Sequence, residues 1–544
     1  MVMNAHVPPF SQTEHLTVPA VFESYARQSP DHPIVIDDHH TVTAGKMLEY
    51  CTRVQANLQV LGLGKGDAVG ILMGNSWKWI AAVLAVTRGG MIAVPLNTWY
   101  KAAELSSATR KAHLRILISE PDLHGHDYSA ILQEAGLVDA DPSRRYLGTY
   151  FWADSDLPVG FDPVVAQSVP AVDIEESDTA MYAFTSGSSA EPKVVVLEHG
   201  GLVRNGRAMG VRIGVTHEDR IWFAAPLFFG LGCANVIHVA LVSGATLCLQ
   251  RRFDAAASAD FIERTKCTVL YGIGPLIRGL AKLQQAQPRD LSSLTKGVIG
   301  VTAEDKRIAI EILGLREARS TYGLTECYGL ATMTEPGDDT DVLVRTQGTA
   351  LATQQIRCAD PESGKPIDIG GPERLGEIQL RGIVTPGYLD NDDANAASFT
   401  ADGWFRTGDL GWLDSYGRLH FAGRLKEVVK INGITISPAE VEDFVAQHPD
   451  VEDAYAFGWT NAVGDEQLCC AVVLSTRKEA SDEQVAATLT HWLRQRISSY
   501  KVPSSFVFLD AEKVPTTATG KISKRLIGEQ FIEPQIQKAK SCAK

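Results

Sequence analysis

The stretch AVGILMGNSWKWIAAVLAVTRGGMIAVP, Ala68 to Pro95, changes hydrophobic period twice. Ala68–Met73 is an unbroken apolar run, the signature of a strand buried on both faces. Trp77, Ile80, Ala81 and Leu84 then recur at i, i+3, i+4 and i+7, as one face of a helix would, and Met91–Pro95 returns to strand character. A strand–helix–strand unit of this kind places its two strands in parallel. Working outward, similar apolar runs occur at Ile116–Ser119, Thr246–Leu249, Thr268–Tyr271 and Gly297–Gly300, separated by helix-length segments. The expected fold class is therefore α/β, layered, with largely parallel sheets.

The chain has 544 residues, 45% of them hydrophobic, which exceeds what one core usually serves, so two or more domains are expected. Lys plus Arg total 51 against 65 Asp plus Glu, a net charge of −14, with no long basic run, so a nucleic-acid partner is not expected. The start, MVMNAHVPPFSQTEHL, has prolines where a signal peptide needs an apolar core, and no apolar run reaches the roughly 18 residues of a membrane span. A cytoplasmic protein without a membrane partner is expected. Nine scattered cysteines, with no C-x-x-C pair, suit buried small apolar residues better than a disulfide framework or a zinc site.

After about Gly370 the pattern changes. LGEIQL, a turn at Asp414–Gly417 and RLHFAG read as short strands joined by tight turns, and a breakpoint falls near Gly423–Glu427. Beyond it, Val451–Phe457, Cys470–Leu474 and Ser505–Leu509 read as strands. Ser481 and Gln484 form a capping box ahead of a helix carrying Val485, Leu489, Trp492, Leu493 and Ile497 on one face. The expected architecture is a large N-terminal domain, 1–424, of α/β subdomains, then a small α+β domain, 427–544.

Four stretches carry candidate chemistry. TSGSSAEPK, Thr185–Lys193, follows the apolar run Ala180–Phe184. Its hydroxyls and backbone N–H groups could wrap an anion beside the Lys193 charge, and a polar turn would use the same letters. It is not a G-x-x-x-x-G-K-[ST] loop, because Glu191-Pro192 precede the lysine and Val194 follows it. STYGLTECYG, Ser320–Gly329, offers an aromatic to stack a base and Glu326 to hold a divalent cation. DGWFRTGDL places Asp409 where a carboxylate could accept bonds from a sugar diol, with Arg424 of FAGRLKE as a second contact. Asp-Gly turns are also common as plain structure. PTTATGKISKR, Pro515–Arg525, holds Lys521 beside Gly520, where a solvated surface lysine is the ordinary alternative.

In order and wording these stretches resemble the adenylate-forming superfamily of acyl- and aryl-CoA ligases, luciferases and peptide-synthetase adenylation domains. GGMIAVPLN (Gly89–Asn97), APLFFGLG (Ala225–Gly232), LYGIGPLI (Leu270–Ile277) and the run from Arg406 to Glu442 extend the likeness through nearly the whole chain. The resemblance implies a small β-barrel-like part in the large domain and mobility of the small one. It also implies activation of a small carboxylic acid by ATP and Mg²⁺ to an acyl-adenylate, then transfer to CoA. It assigns Thr185, Ser186, Gly187, Ser188, Ser189 and Lys193 to the phosphate loop. Tyr322 would stack on adenine, Thr325 contact the α-phosphate, Glu326 hold Mg²⁺, Asp409 and Arg424 bind ribose, and Lys521 bridge the carboxylate and the α-phosphate. Lys426 would be the hinge between half-reactions and Gly433 would line the CoA tunnel. Phe229, Gly232, Val236, Gly300 and Tyr322 are the candidates for the acyl pocket, Val236 being equally consistent with core packing.

Two departures stand out. Ala190 and Val194 occupy positions where relatives carry glycine, and Phe229 replaces a histidine, leaving an apolar wall suited to an aromatic or cyclic aliphatic acid. Rival readings keep the adenylation but change the acceptor to a carrier protein, an amine or nitrite, or make the chain a silent binding protein. A homodimer is compatible with all of them.

Overall fold

The computed structural model describes residues 16–534 apart from 124, 142–144, 163–170, 186–191, 300–301, 373, 426–428, 432–433, 461–465, 476–480, 498 and 517–521. The quoted stretch forms strand Ala68–Leu72, helix Trp77–Arg88 and strand Ile92–Pro95, with the two strands paired in parallel. Ser76 caps the helix by accepting the Trp79 N–H, a contact contributing about 1 kcal/mol. The one-face reading of this helix needs correction. Ala82, Val83, Ala85 and Val86 are as buried as Trp77, Ile80, Ala81 and Leu84, because helices Val18–Gln28 and Ala44–Val60 cover the side turned away from the sheet. A helix between two layers has no solvent face to keep polar.

The chain divides into two compact units, the first comprising 1–301, 305–356 and 380–405, the second 302–304, 357–379 and 406–544. Two large sheets build the first unit among the described residues, beside a two-stranded ribbon of Asp122–Leu123 and His126–Asp127. One has six strands, with Ala68–Leu72 between Ile92–Pro95 and Leu114–Ser119, and ends in the antiparallel pair Thr179–Thr185 and Lys193–Glu198. The other has nine strands. Its parallel centre, from Pro33–Ile36 to Glu317–Tyr322, includes the strands Thr246–Leu249, Val269–Gly272 and Lys296–Ile299, which overlap the apolar runs read at Thr246–Leu249, Thr268–Tyr271 and Gly297–Gly300. One apolar cluster joins residues of both sheets, from Val69 and Ile116 to Ile221 and Tyr271.

In the second unit, Phe405–Leu413 and Leu419–Arg424 form the antiparallel pair expected around Asp414–Gly417, within a five-stranded sheet that begins earlier than anticipated, at Gln354–Ala359. Its C-terminal part has the strands Val451–Thr460, Glu466–Leu474 and Ser505–Leu509, with helix Asp482–Arg494 behind the Ser481/Gln484 capping box. The eight described cysteines are all buried and unbridged. No helix among the described residues is long and apolar enough to cross a membrane.

Candidate active site

Strand Lys193–Glu198 pairs with Thr179–Thr185 so that Lys193 lies opposite Thr185 and Val194 opposite Phe184. The TSGSSAEPK stretch is therefore the connection of a β-hairpin, and its first and last residues face each other where the strands end. Ser186, Gly187, Ser188, Ser189 and Ala190 lie outside the described residues, as do Gly300, Lys426, Gly433 and Lys521. Val194, where the resemblance expects glycine, is buried in the return strand, and its carbonyl accepts the Leu389 N–H at 2.9 Å. Extended backbone is what a β-branched residue favours, so glycine is not required there.

The Lys193 ammonium sits 4.4 Å from the centroid of the Tyr388 ring, and the Tyr388 hydroxyl donates to Glu326 Oε1 at 2.8 Å. Tyr388 is carried by a segment that docks on the same return strand: Val196 N donates to Gly387 O at 3.1 Å, and Thr385 N donates to Glu326 O at 2.7 Å. Nothing in the sequence pattern marks Tyr388 or Thr385 as site residues. The available signal was the TPGY turn, whose Gly387 has φ +151° and leaves no room for a Cβ against Asn395.

Thr325 and Glu326 open the short turn Thr325–Cys327, just beyond strand Glu317–Tyr322, with Glu326 and Tyr322 both buried. Helix His199–Ile213 holds this loop through Asn205, whose Nδ2 donates to the carbonyls of Cys327, Tyr328 and Leu330 at 3.1, 3.2 and 2.9 Å. Asn205 Oδ1 in turn accepts from Thr353 at 2.6 Å. Tyr328 takes a positive φ of 59° and accepts the Glu198 N–H, and burial pushes its hydroxyl pKa well up. Gly323 must be glycine, since a Cβ there would lie 2.1 Å from the Gly329 carbonyl oxygen.

The APLFFGLG segment reaches the same loop: a Cβ on Gly230 would stand 2.6 Å from Thr325 Oγ1. Phe228 and Phe229 pack 4.5 Å apart, and both meet Trp99 edge-on, at 5.6 and 5.5 Å. Trp99 is 40% exposed, so this aromatic cluster shows one side to solvent. Of the other pocket candidates, Val236 is fully buried in the main core, and a Cβ on Gly232 would stand 2.6 Å from the Leu227 backbone. Trp99 was not singled out from the sequence, because it lies far along the chain from the phenylalanines.

In the second unit, Asp409 and Arg424 are register partners across the antiparallel pair, and Arg424 Nε lies 2.9 Å from Oδ1 of the buried Asp409 carboxylate, an ion pair. Arg424 is itself exposed, which leaves its remaining N–H groups on the surface side. Gly408, at φ +70°, turns the strand just before Asp409, and its carbonyl accepts Leu425 N–H at 2.8 Å.

The profile of AMP-binding enzymes matches residues 22–389, and that of the AMP-binding enzyme C-terminal domain matches 440–521. The chain belongs to the AMP-binding enzyme family. Among similar relatives of this AMP-binding enzyme is a CoA ligase of Mycobacterium tuberculosis named for a methyl-dioxo-octahydroindenyl propanoate, 31% identical over 94% of this chain and 98% of that one. A putative acyl-CoA synthetase of Bacillus subtilis, YngI, is 28% identical over 95% of this chain and 98% of its own length. The ATP-bound structure of MatB from Rhodopseudomonas palustris superposes with a TM-score of 0.81 at 23% identity, covering 95% of this chain and 99% of that one, a likeness of fold.

Proposed function

We propose that the chain is an AMP-forming acid–CoA ligase, which activates a carboxylic acid with ATP to an acyl-adenylate and passes the acyl group to the thiol of CoA. The observation that carries this reading is the family match through both the large and the C-terminal portions, at 22–389 and 440–521, with a CoA ligase among the relatives matched over 98% of its length.

The chemistry has one main obstacle: a carboxylate must approach a triphosphate. At about 4 Å, like unit charges near a protein surface repel by roughly 4 kcal/mol, so fixed cations must be arranged around the meeting point. In this reading the hairpin between Thr185 and Lys193 embraces the β- and γ-phosphates through Ser186, Gly187, Ser188 and Ser189. Tyr322 stacks on adenine, Thr325 contacts the α-phosphate, and Asp409 with Arg424 binds the ribose diol. Lys521 draws the carboxylate and α-phosphate together and stabilises charge in the transition state. Glu326 is the protein ligand for Mg²⁺: a single buried carboxylate, with no cluster of three metal-binding side chains among the described residues, suits an ion that takes its other ligands from phosphate and water. The ion, when bound, neutralises phosphate charge.

The Trp99, Phe228 and Phe229 cluster favours an acid with an aromatic or alicyclic ring, since edge-to-face contacts reward flat or compact apolar groups. In this reading the functional boundary falls between 424 and 427, inside the second compact unit, with Lys426 as the hinge and Gly433 near the CoA path. The test is a panel of ring-bearing and straight-chain acids assayed for AMP release with and without CoA, with carrier-bound pantetheine, amines and nitrite as control arms. Acid-dependent AMP release with thioester formation only in the CoA arm is expected. AMP release that ignores CoA and follows another acceptor would overturn the thioester step.

A further inference from the structure

We propose that Tyr388 is a positioning residue of the adenylation site, holding the Glu326 carboxylate and the Lys193 ammonium in one fixed relation so that phosphate-loop and metal-ligand contacts form together. The inference rests on the acid–CoA ligase reading and extends it to a residue outside the stretches already assigned.

One side chain touches both charged groups. The Tyr388 hydroxyl donates to Glu326 Oε1 at 2.8 Å, and its ring face lies 4.4 Å from Lys193 Nζ. A hydrogen bond to a carboxylate is stronger than a neutral one and fixes which oxygen lone pairs remain for other partners. A cation over an aromatic face is held without being neutralised, so Lys193 keeps its full charge for an anion. A carboxylate partner in the same place would hold the lysine more firmly but would cancel its field.

The tyrosine is itself held on every side. Its backbone bridges to Val195 in the strand that begins with Lys193, and Leu389 N donates to Val194 O at 2.9 Å. Asn395 clamps it reciprocally, Oδ1 accepting Tyr388 N–H at 2.7 Å and Nδ2 donating to Tyr388 O at 2.9 Å. Thr385 ties the segment to the Glu326 backbone carbonyl at 2.7 Å and, through its hydroxyl, to Val196 O at 2.7 Å. The strand bearing the lysine and the turn bearing the glutamate are thus joined through two buried residues, Thr385 at the backbone and Tyr388 at the charged side chains. The ring faces Lys193 and the hydroxyl bonds Glu326, so the two contacts can be removed separately by mutation.

The experiment measures ATP affinity by calorimetry with and without Mg²⁺ on the full chain, for wild type, Tyr388→Phe, Tyr388→Leu, Glu326→Gln and the Tyr388→Phe/Glu326→Gln pair, with a melting temperature for each. Tyr388→Phe should leave Mg²⁺-free ATP affinity near wild type and reduce the Mg²⁺-dependent gain by about tenfold, the size of one hydrogen bond to a charged group. In the Glu326→Gln background it should change nothing further. Tyr388→Leu should also weaken Mg²⁺-free binding. An unchanged Mg²⁺ dependence in Tyr388→Phe, or an equal loss with and without Glu326, would overturn the proposal even if Tyr388→Leu fails to fold. Wild type that does not bind ATP would instead bring down the ligase reading on which it rests.

Discussion

Replacing Asn205 should unlatch the loop that carries Thr325 and Glu326. The side chain is fully buried, and its two amide hydrogens are shared among three carbonyls while its oxygen accepts from Thr353. Counted as three bonds at about 1–1.5 kcal/mol each, Asn205→Ala should cost roughly 3–5 kcal/mol, a large share of the 5–15 kcal/mol typical of a domain. Because the bonds converge on Cys327, Tyr328 and Leu330, the loss should appear first as faster amide hydrogen exchange in residues 323–330, followed by weaker ATP binding. Asn205→Asp should be worse at neutral pH, since a charged oxygen would then face carbonyl oxygens with no N–H to offer. Its buried carboxyl pKa would rise, so stability should partly return as pH falls and an O–H becomes available. Unaltered exchange in 323–330, or an aspartate variant no worse than alanine at pH 7, would refute the latch.

Other outcomes are expected of the same molecule. Lys521→Ala should slow acid-dependent pyrophosphate exchange by roughly 10²–10³ while ATP still binds by calorimetry. Trp99→Ala should lower kcat/KM for a bicyclic or aromatic acid by about tenfold relative to a short straight-chain acid, as measured side by side; equal losses for both would remove Trp99 from the acyl pocket. Burial lowers the His238 pKa from 6.5 to about 4. The unfolded chain therefore takes up this proton first as pH falls, and folding stability should drop by about 3 kcal/mol between pH 6.5 and 4. His238→Leu should flatten that part of a denaturation-versus-pH curve.

The chain's wording revealed its layered α/β character because that signal is local. A buried parallel strand must be apolar throughout, as Ala68–Met73 and Thr246–Leu249 are, and the Ser481 capping box lies within four residues. The second face of helix Trp77–Arg88 was hidden, because its alanines and valines fit either a weakly polar side or a doubly covered one, and only the neighbouring helices decide. Tyr388 was hidden for a different reason. Its role depends on Lys193 and Glu326, each distant in sequence, and a tyrosine after a Thr-Pro-Gly turn looks like any turn residue. The Asp409–Arg424 pairing, by contrast, could be anticipated as a shared function but not as a direct ion pair, which follows from strand register.

The meeting of Thr185 and Lys193 across the hairpin has a consequence for how such a sequence can change. With both ends fixed by strand pairing, adding a few residues between them alters the closure entropy by only a few tenths of a kcal/mol, since the cost grows as (3/2)RT ln n. Sliding the return strand by a single residue is a far greater change, because it would turn Lys193 to the opposite face of the sheet, away from Tyr388. Insertions within the connection should therefore cost little folding stability, their penalty falling on phosphate binding, while a single deletion inside Lys193–Glu198 should also pull the lysine out of the site.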